Sequence, residues 1–271
     1  MTYLADIADW SILAVALLLF AVQWLSYEAG GWFGRRYAAR NESPPEGVGV
    51  VVGGLLGLLA FVLALTLSYA NNRFAERRAG TLNEANAIST AWLRAEAIGH
   101  PRGPEIARLL EDYIKVRMEF VEAGRDKARI DRLNQATNAL QSRIGGHLAA
   151  IVREQPNTVS TSLMASLNDA FDAATSERFA YSFRLPPQIF WLLIGMSLLA
   201  AAALGYQIGV RRQQLRVLAA ALFVMWTIVT VDILDLASSR VGAFRTNADV
   251  YRWTLQSFKG GIQIPPQEPG R

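Results

Sequence analysis

A run of 23 residues without a charge, Gly47–Tyr69, constrains this chain most. As a helix it spans roughly 34 Å, enough to cross a hydrocarbon core of about 30 Å. It passes without a proline into the charged, amphipathic stretch NNRFAERRAGTLNEANAISTAWLRAEA. The pattern predicts one helix that crosses a membrane and continues into water as far as Ala97, roughly 76 Å in all. Gly80 is its weak point, costing about 1 kcal/mol relative to alanine in a helix interior.

Three more apolar blocks accompany it: Trp10–Tyr27, Leu185–Val210 and Val217–Val231. Charged residues make up only 18% of the chain, against about 25% in soluble domains. The fourth block has 15 uncharged residues, roughly 22 Å of helix, so to span it must take in Asp232 or lean on Arg216. Between the second and third blocks the sequence reads as soluble amphipathic helices. One is opened by Gly103-Pro104 and closed by Gly124, one runs from about Asp126 to Glu154, and one from about Ser160 to Phe183. The fold class is therefore all-α: a four-span helical membrane protein with a helical-bundle extramembrane domain between spans 2 and 3. Span 2 continues into that domain as a long helix. The expected organisation is residues 1–69 for spans 1 and 2, 70–184 for the extramembrane domain, 185–236 for spans 3 and 4, and 237–271 for a tail packed on that domain. A loop is expected after Tyr27. Val241–Phe244 and Ile262–Ile264 read as short extended pieces, and the final PPQEPGR as flexible.

The chemistry of a catalyst is missing. There are no cysteines and two histidines, His100 and His147, without H-x-x-x-H spacing. No P-loop, G-x-G-x-x-G or G-x-S-x-G occurs. The expectation is no enzyme, no cofactor and no metal site. Net charge is +4 and the pI about 9.6. The arginines cluster beside the apolar runs, which fits lipid headgroups and topology rather than nucleic acid. Arg35, Arg36, Arg40 and Arg211, Arg212, Arg216 fall in the two short loops. By the positive-inside rule these loops are cytoplasmic and the helical domain faces outward.

Three groups of residues stand out. Gly49, Gly53, Gly57, Ala60, Ala64, Ser68 and Asn71 share one face of the long helix. Small residues so spaced let helices approach to backbone contact. The face either packs on the protein's own helices or repeats around the axis of an oligomer and braces a pore. Glu84, Asn86, Thr90 and Arg94 follow as a polar set, read either as a hydrogen-bonded seam of the bundle or as the lining of a neck. Asp232 and Asp235 lie three apart at the end of the short fourth span. They are either interfacial anchors or, because a carboxylate at membrane depth is costly unless held, a cation site, a proton-linked carboxylate or a structural pair with Arg240 or Arg73.

The segment after span 2 carries Arg73 and Arg77-Arg78, then Glu84-Ala85-Asn86-Ala87-Ile88, Thr90-Ala91 and Leu93-Arg94. Span 4 closes with Ile233-Leu234-Asp235-Leu236. These residues resemble the bestrophin-like membrane proteins of bacteria and plants. Many of those continue Asp-Arg-Pro where this chain has Ala237-Ser238-Ser239. The resemblance implies distant kinship with bestrophins, pentameric anion channels whose pore follows the second span through a helical cytosolic domain. That location is opposite to the one the loop charges suggest. The resulting expectation is a multi-pass protein of the cell membrane, in bacteria the inner one. It forms a homo-oligomeric channel that passes ions, with the span-2 helix around the pore. The alternative is a non-conducting scaffold or sensor whose helical domain binds a partner.

Overall fold

The computed structural model describes residues 12–41, 45–182, 186–213, 215–238, 240, 242 and 244–263. Its helices are α1 (Ile12–Ala38), α2 (Val48–Ala97), α3 (Gly103–Glu122), α4 (Lys127–Glu154), α5 (Thr158–Ser182), α6 (Pro187–Val210), α7 (Arg216–Ala237) and α8 (Asp249–Phe258). No strand occurs among the described residues. Four helical stretches among them are long and apolar enough to cross a membrane. The chain forms two compact units, one within Met1–Arg73 and Arg184–Ser238, the other within Phe74–Phe183 and Ser239–Arg271.

In the first unit α1 packs most extensively on α6. Glycines on both helices make this contact. A Cβ on Gly30 would collide with the carbonyl of Ala202, one on Gly34 with that of Tyr206, one on Gly205 with that of Tyr27 and one on Gly209 with that of Gly31. The Ser26 hydroxyl donates across the same seam to the Leu198 carbonyl at 2.8 Å. Backbone-to-backbone contact of this kind gives van der Waals attraction that a side chain would prevent. On another side of α1, Trp24 and Tyr27 pack against Phe223 of α7 with centroids 6.3 and 5.6 Å apart. Arg216, at the start of α7, pairs with Glu28 of α1 at 3.2 Å.

The first helix departs from the sequence expectation. It does not stop near Tyr27 but continues through Gly30, Gly31 and Gly34 to Ala38. The stretch that reads as a glycine-punctuated loop is the α6-facing side of a helix, where close packing outweighs the low helix propensity of glycine. α7 takes in Arg216, Asp232 and Asp235 together.

The second unit holds the far half of α2 with α3, α4, α5 and α8. Its core includes Ile88 and Trp92 of α2, Ile106, Leu110 and Tyr113 of α3, Ile144 of α4 and Leu163 of α5. Asp126 caps α4 by accepting from the Arg129 amide at 3.0 Å. Gly124 closes the α3–α4 turn with φ +61. α2 is unbroken at Gly80, and α4 at Gly145-Gly146. Between α2 and α3, His100 is buried. Its Nδ1 accepts from the Arg102 amide at 3.1 Å, which leaves Nε2 to donate to Glu154 at 3.1 Å.

The tail adds a helix where the sequence pattern assigns no element. Asp249–Phe258 forms α8, with Tyr251 and Phe258 buried. Phe258 stacks on Trp92 at 4.5 Å and 9°. Val241, Ala243 and Ile264, which belong to the expected extended pieces, lie outside the described residues.

Candidate functional site

The 50 residues of α2 divide into a buried side and an exposed side. Within the first unit Val52, Leu59, Leu63, Thr66 and Ala70 are buried. Gly53, Gly57, Ala60, Ala64, Ser68 and Asn71 are exposed. A Cβ added at Gly53 or Gly57 would meet nothing within 4 Å. The face expected either to pack on the protein's own helices or to brace a pore is therefore open in the single chain at these positions. Gly49 is the exception: it is half-buried beside the Gln207 amide and the Arg211 guanidinium. Phe61 and Leu65, at 59% and 55% exposed, flank the small face with large apolar side chains.

In the second unit the polar set of α2 separates. Asn86, Thr90 and Arg94 are exposed. Thr90 bonds back to the Asn86 carbonyl at 3.0 Å, and Arg94 donates to the Ser162 carbonyl of α5 at 2.7 Å. Glu84 points the other way and is fully buried. It lies on the opposite side of the helix because 84 to 86 is a turn of about 200°.

Glu84 belongs to a cluster that the sequence does not mark. Arg117 of α3 donates from Nε to Glu84 Oε1 at 2.5 Å and from Nη2 to Glu84 Oε2 at 3.0 Å. The same Nη2 reaches Glu177 Oε2 of α5 at 2.8 Å. The side chains of all three are at most 1% exposed. Tyr251 of α8 and Thr81 of α2 complete the cluster. Two guanidinium groups lie over the Phe120 ring, Arg117 at 4.6 Å and Arg240 at 4.5 Å from its centroid. Arg240 also covers Tyr181 at 4.7 Å and donates to the Phe120 carbonyl at 2.6 Å.

Burial alone would raise the Glu84 carboxyl, but the Arg117 charge and hydrogen bonds hold it below the usual carboxylate range. Burial likewise works against the Arg117 cation, yet Glu84 keeps it more firmly protonated than a free arginine. Glu177, which shares a single Arg117 nitrogen with Glu84, goes the other way. Burial first, then the hydrogen bond and charge of Glu84, push it up to about 8. The asymmetry follows from the geometry: Glu84 takes the paired donors and Glu177 takes what remains.

Asp235 is buried and Asp232 half-buried, both within α7. Among the described residues no group of three or more His, Asp or Glu could hold a metal ion.

A family model for the Bestrophin-like domain matches residues 15–236. The chain belongs to the bestrophin-like family. Its matched span runs from α1 to the end of α7, so both the open face of α2 and the Glu84–Arg117–Glu177 cluster lie within it. Solved structures share the fold at low identity. A bacterial bestrophin homologue from Klebsiella pneumoniae matches with TM-score 0.65 and 14% identity, covering 92% of this chain and 99% of that one. A second variant of the Klebsiella protein gives TM-score 0.67 at 15% identity, covering 92% and 99%. A crystal structure described only as a membrane protein gives 0.68 at 12%, covering 94% and 99%. No curated protein matches the sequence.

Proposed function

We propose that this bestrophin-like membrane protein is a multi-pass, homo-oligomeric ion channel of the cell membrane, the inner one in bacteria. The exposed face of α2 turns toward the oligomer axis. One observation carries the reading: Gly53, Gly57, Ala60, Ala64 and Ser68 form an open strip in a long apolar helix whose opposite side is already buried. Small residues leave room beside a helix, either for another backbone or for a permeation path. Lipid alone would not require them, since leucine and isoleucine fit hydrocarbon equally well. Asn86, Thr90 and Arg94 supply polar groups on the exposed side further along the same helix, as a neck for ions requires. Asp235, buried at the end of α7, is the carboxylate more suited to a structural or ion-linked role than the half-buried Asp232.

Reconstitution into planar bilayers tests conduction. Discrete currents are expected, with reversal potentials that report the sign of the permeant ion. Replacing Ala64 with Phe narrows the path and is expected to cut unitary conductance severalfold. An assembled oligomer that passes no current would leave the scaffold or sensor reading in its place.

A further inference from the structure

The cluster around Arg117 has too few protons for its short contacts. Tyr251 Oη lies 2.7 Å from Glu84 Oε2 and 2.8 Å from Glu177 Oε2. A phenol has one proton, so it can satisfy only one of the two. If both carboxyls were ionised, the other contact would press two electron-rich oxygens together in a buried site. Thr81 repeats the shortage. Its Oγ1 is 3.0 Å from the Arg77 carbonyl and 2.5 Å from Glu177 Oε1, again with one proton for two acceptors. The Arg117 contacts run to Glu84, to Glu177 Oε2 and to the Ala174 carbonyl, and so add no proton between Tyr251 and a carboxyl or between Thr81 and Glu177 Oε1. A proton on the Glu177 carboxyl repairs either shortage.

We infer that Glu177, Glu84 and Tyr251 form a proton-binding site. A proton held by the carboxyl pair fastens the C-terminal helix α8 to the bundle, and its loss as pH rises loosens that helix. The groups come from elements distant in the chain: Glu84 from α2, Glu177 from α5 and Tyr251 from α8. Other titratable groups face the site. Arg77 lies on α2, Arg117 and Tyr113 on α3, Tyr181 on α5, and Arg240 on the segment before α8. Arg117 favours the ionised form of Glu177, but burial and Glu84 outweigh it. Tyr113 and Tyr251 are held neutral, pushed up first by burial and then by the carboxylates. Tyr181 is likewise pushed up to about 12. The proton that leaves in the neutral range is therefore that of the carboxyl pair.

The sign follows from linkage. The docked state binds the proton with a site near 8, against the ordinary carboxyl value of 4.5. Undocking α8 lets water reach the carboxyl pair and lowers the docked value, although Glu84 and Arg117 stay beside Glu177. Attachment of α8 is therefore fully supported only below the undocked value. It weakens by up to about tenfold per pH unit as pH rises toward 8, then levels off. Hydrogen exchange of the full-length protein in detergent micelles reads this directly. Protection of Asp249–Phe258, corrected for the intrinsic rate, is expected to fall between pH 6 and 8 and then flatten. Glu177→Gln keeps the shape and a donor but has no proton to lose, so its protection is expected to stay level. A flat wild-type profile, or the same slope in Glu177→Gln, overturns the inference. If Glu177→Gln does not fold, infrared difference spectra of the wild type decide. A protonated-carboxyl C=O band that disappears with a midpoint near pH 8 supports the site, and its absence refutes it.

Discussion

Two glycine stripes in the same unit meet opposite fates. Gly30 and Gly34 on α1 press against Ala202 and Tyr206 of α6, Gly205 and Gly209 on α6 press against Tyr27 and Gly31 of α1, and none has space for a Cβ beside the other helix's backbone. Gly53 and Gly57 on α2 have the same four-residue spacing and touch nothing. The spacing therefore reports that a helix can be approached closely, not which helix will approach. The first pair is satisfied inside one chain. The second is left open by the chain itself. The polar residues of α2 divide likewise: Glu84 is closed in by Arg117, whereas Asn86 and Thr90 stay open.

Substitutions can break this contrast, and the largest effects belong to the closed side. Arg117→Ala strands two buried carboxyls beside Tyr251. A loss of about 3–5 kcal/mol is expected, since removing one partner of a buried ion pair leaves its charge uncompensated. Chemical denaturation of the extramembrane unit's circular-dichroism signal checks it, and a change under 1 kcal/mol would show that the cluster is not tightly held. Gly205→Leu forces a side chain into the Tyr27 carbonyl. The expected cost is about 3 kcal/mol, at the upper end for overpacking, read as a lower melting temperature of the detergent-solubilised protomer.

The open side should behave differently. Gly57→Leu has room in the protomer and is expected to change protomer stability by no more than about 1 kcal/mol, in the stabilising direction given by helix propensity. Its effect should fall on assembly, seen as a shift to smaller particles in size-exclusion chromatography with light scattering. Equal damage to protomer stability from Gly57→Leu and Gly205→Leu would erase the distinction. Smallest is Gly80→Ala, where a Cβ meets nothing within 4 Å. It should raise stability by up to about 1 kcal/mol without altering oligomer size.

Much of the fold was legible because long charge-free runs and amphipathic stripes leave few alternatives. The span-2 helix through Gly80 to Ala97 and the bundle helices opened by Pro104 and capped by Asp126 follow from local rules alone. What was illegible depends on partners far away in the chain. Gly30, Gly31 and Gly34 read as a loop because nothing local says that Ala202 and Tyr206 will press against them. α8 was hidden because ten residues in a mixed tail carry only a short apolar stripe, Val250, Tyr251, Leu255 and Phe258. In the sequence Glu84 stands in one polar set with Asn86, Thr90 and Arg94. Counting turns would have put it on the other side, but Arg117, Glu177 and Tyr251 are 33, 93 and 167 residues away, beyond any local pattern.

On the proposed function, other copies of this chain cover the open face of α2. The mass of the intact wild-type particle in mild detergent, by native mass spectrometry, tests it most directly. The expected result is a whole-number multiple of the 29.8 kDa chain that collapses toward one copy in Gly57→Leu. A wild-type particle of a single chain, stable and with that face accessible to lipid, would contradict it.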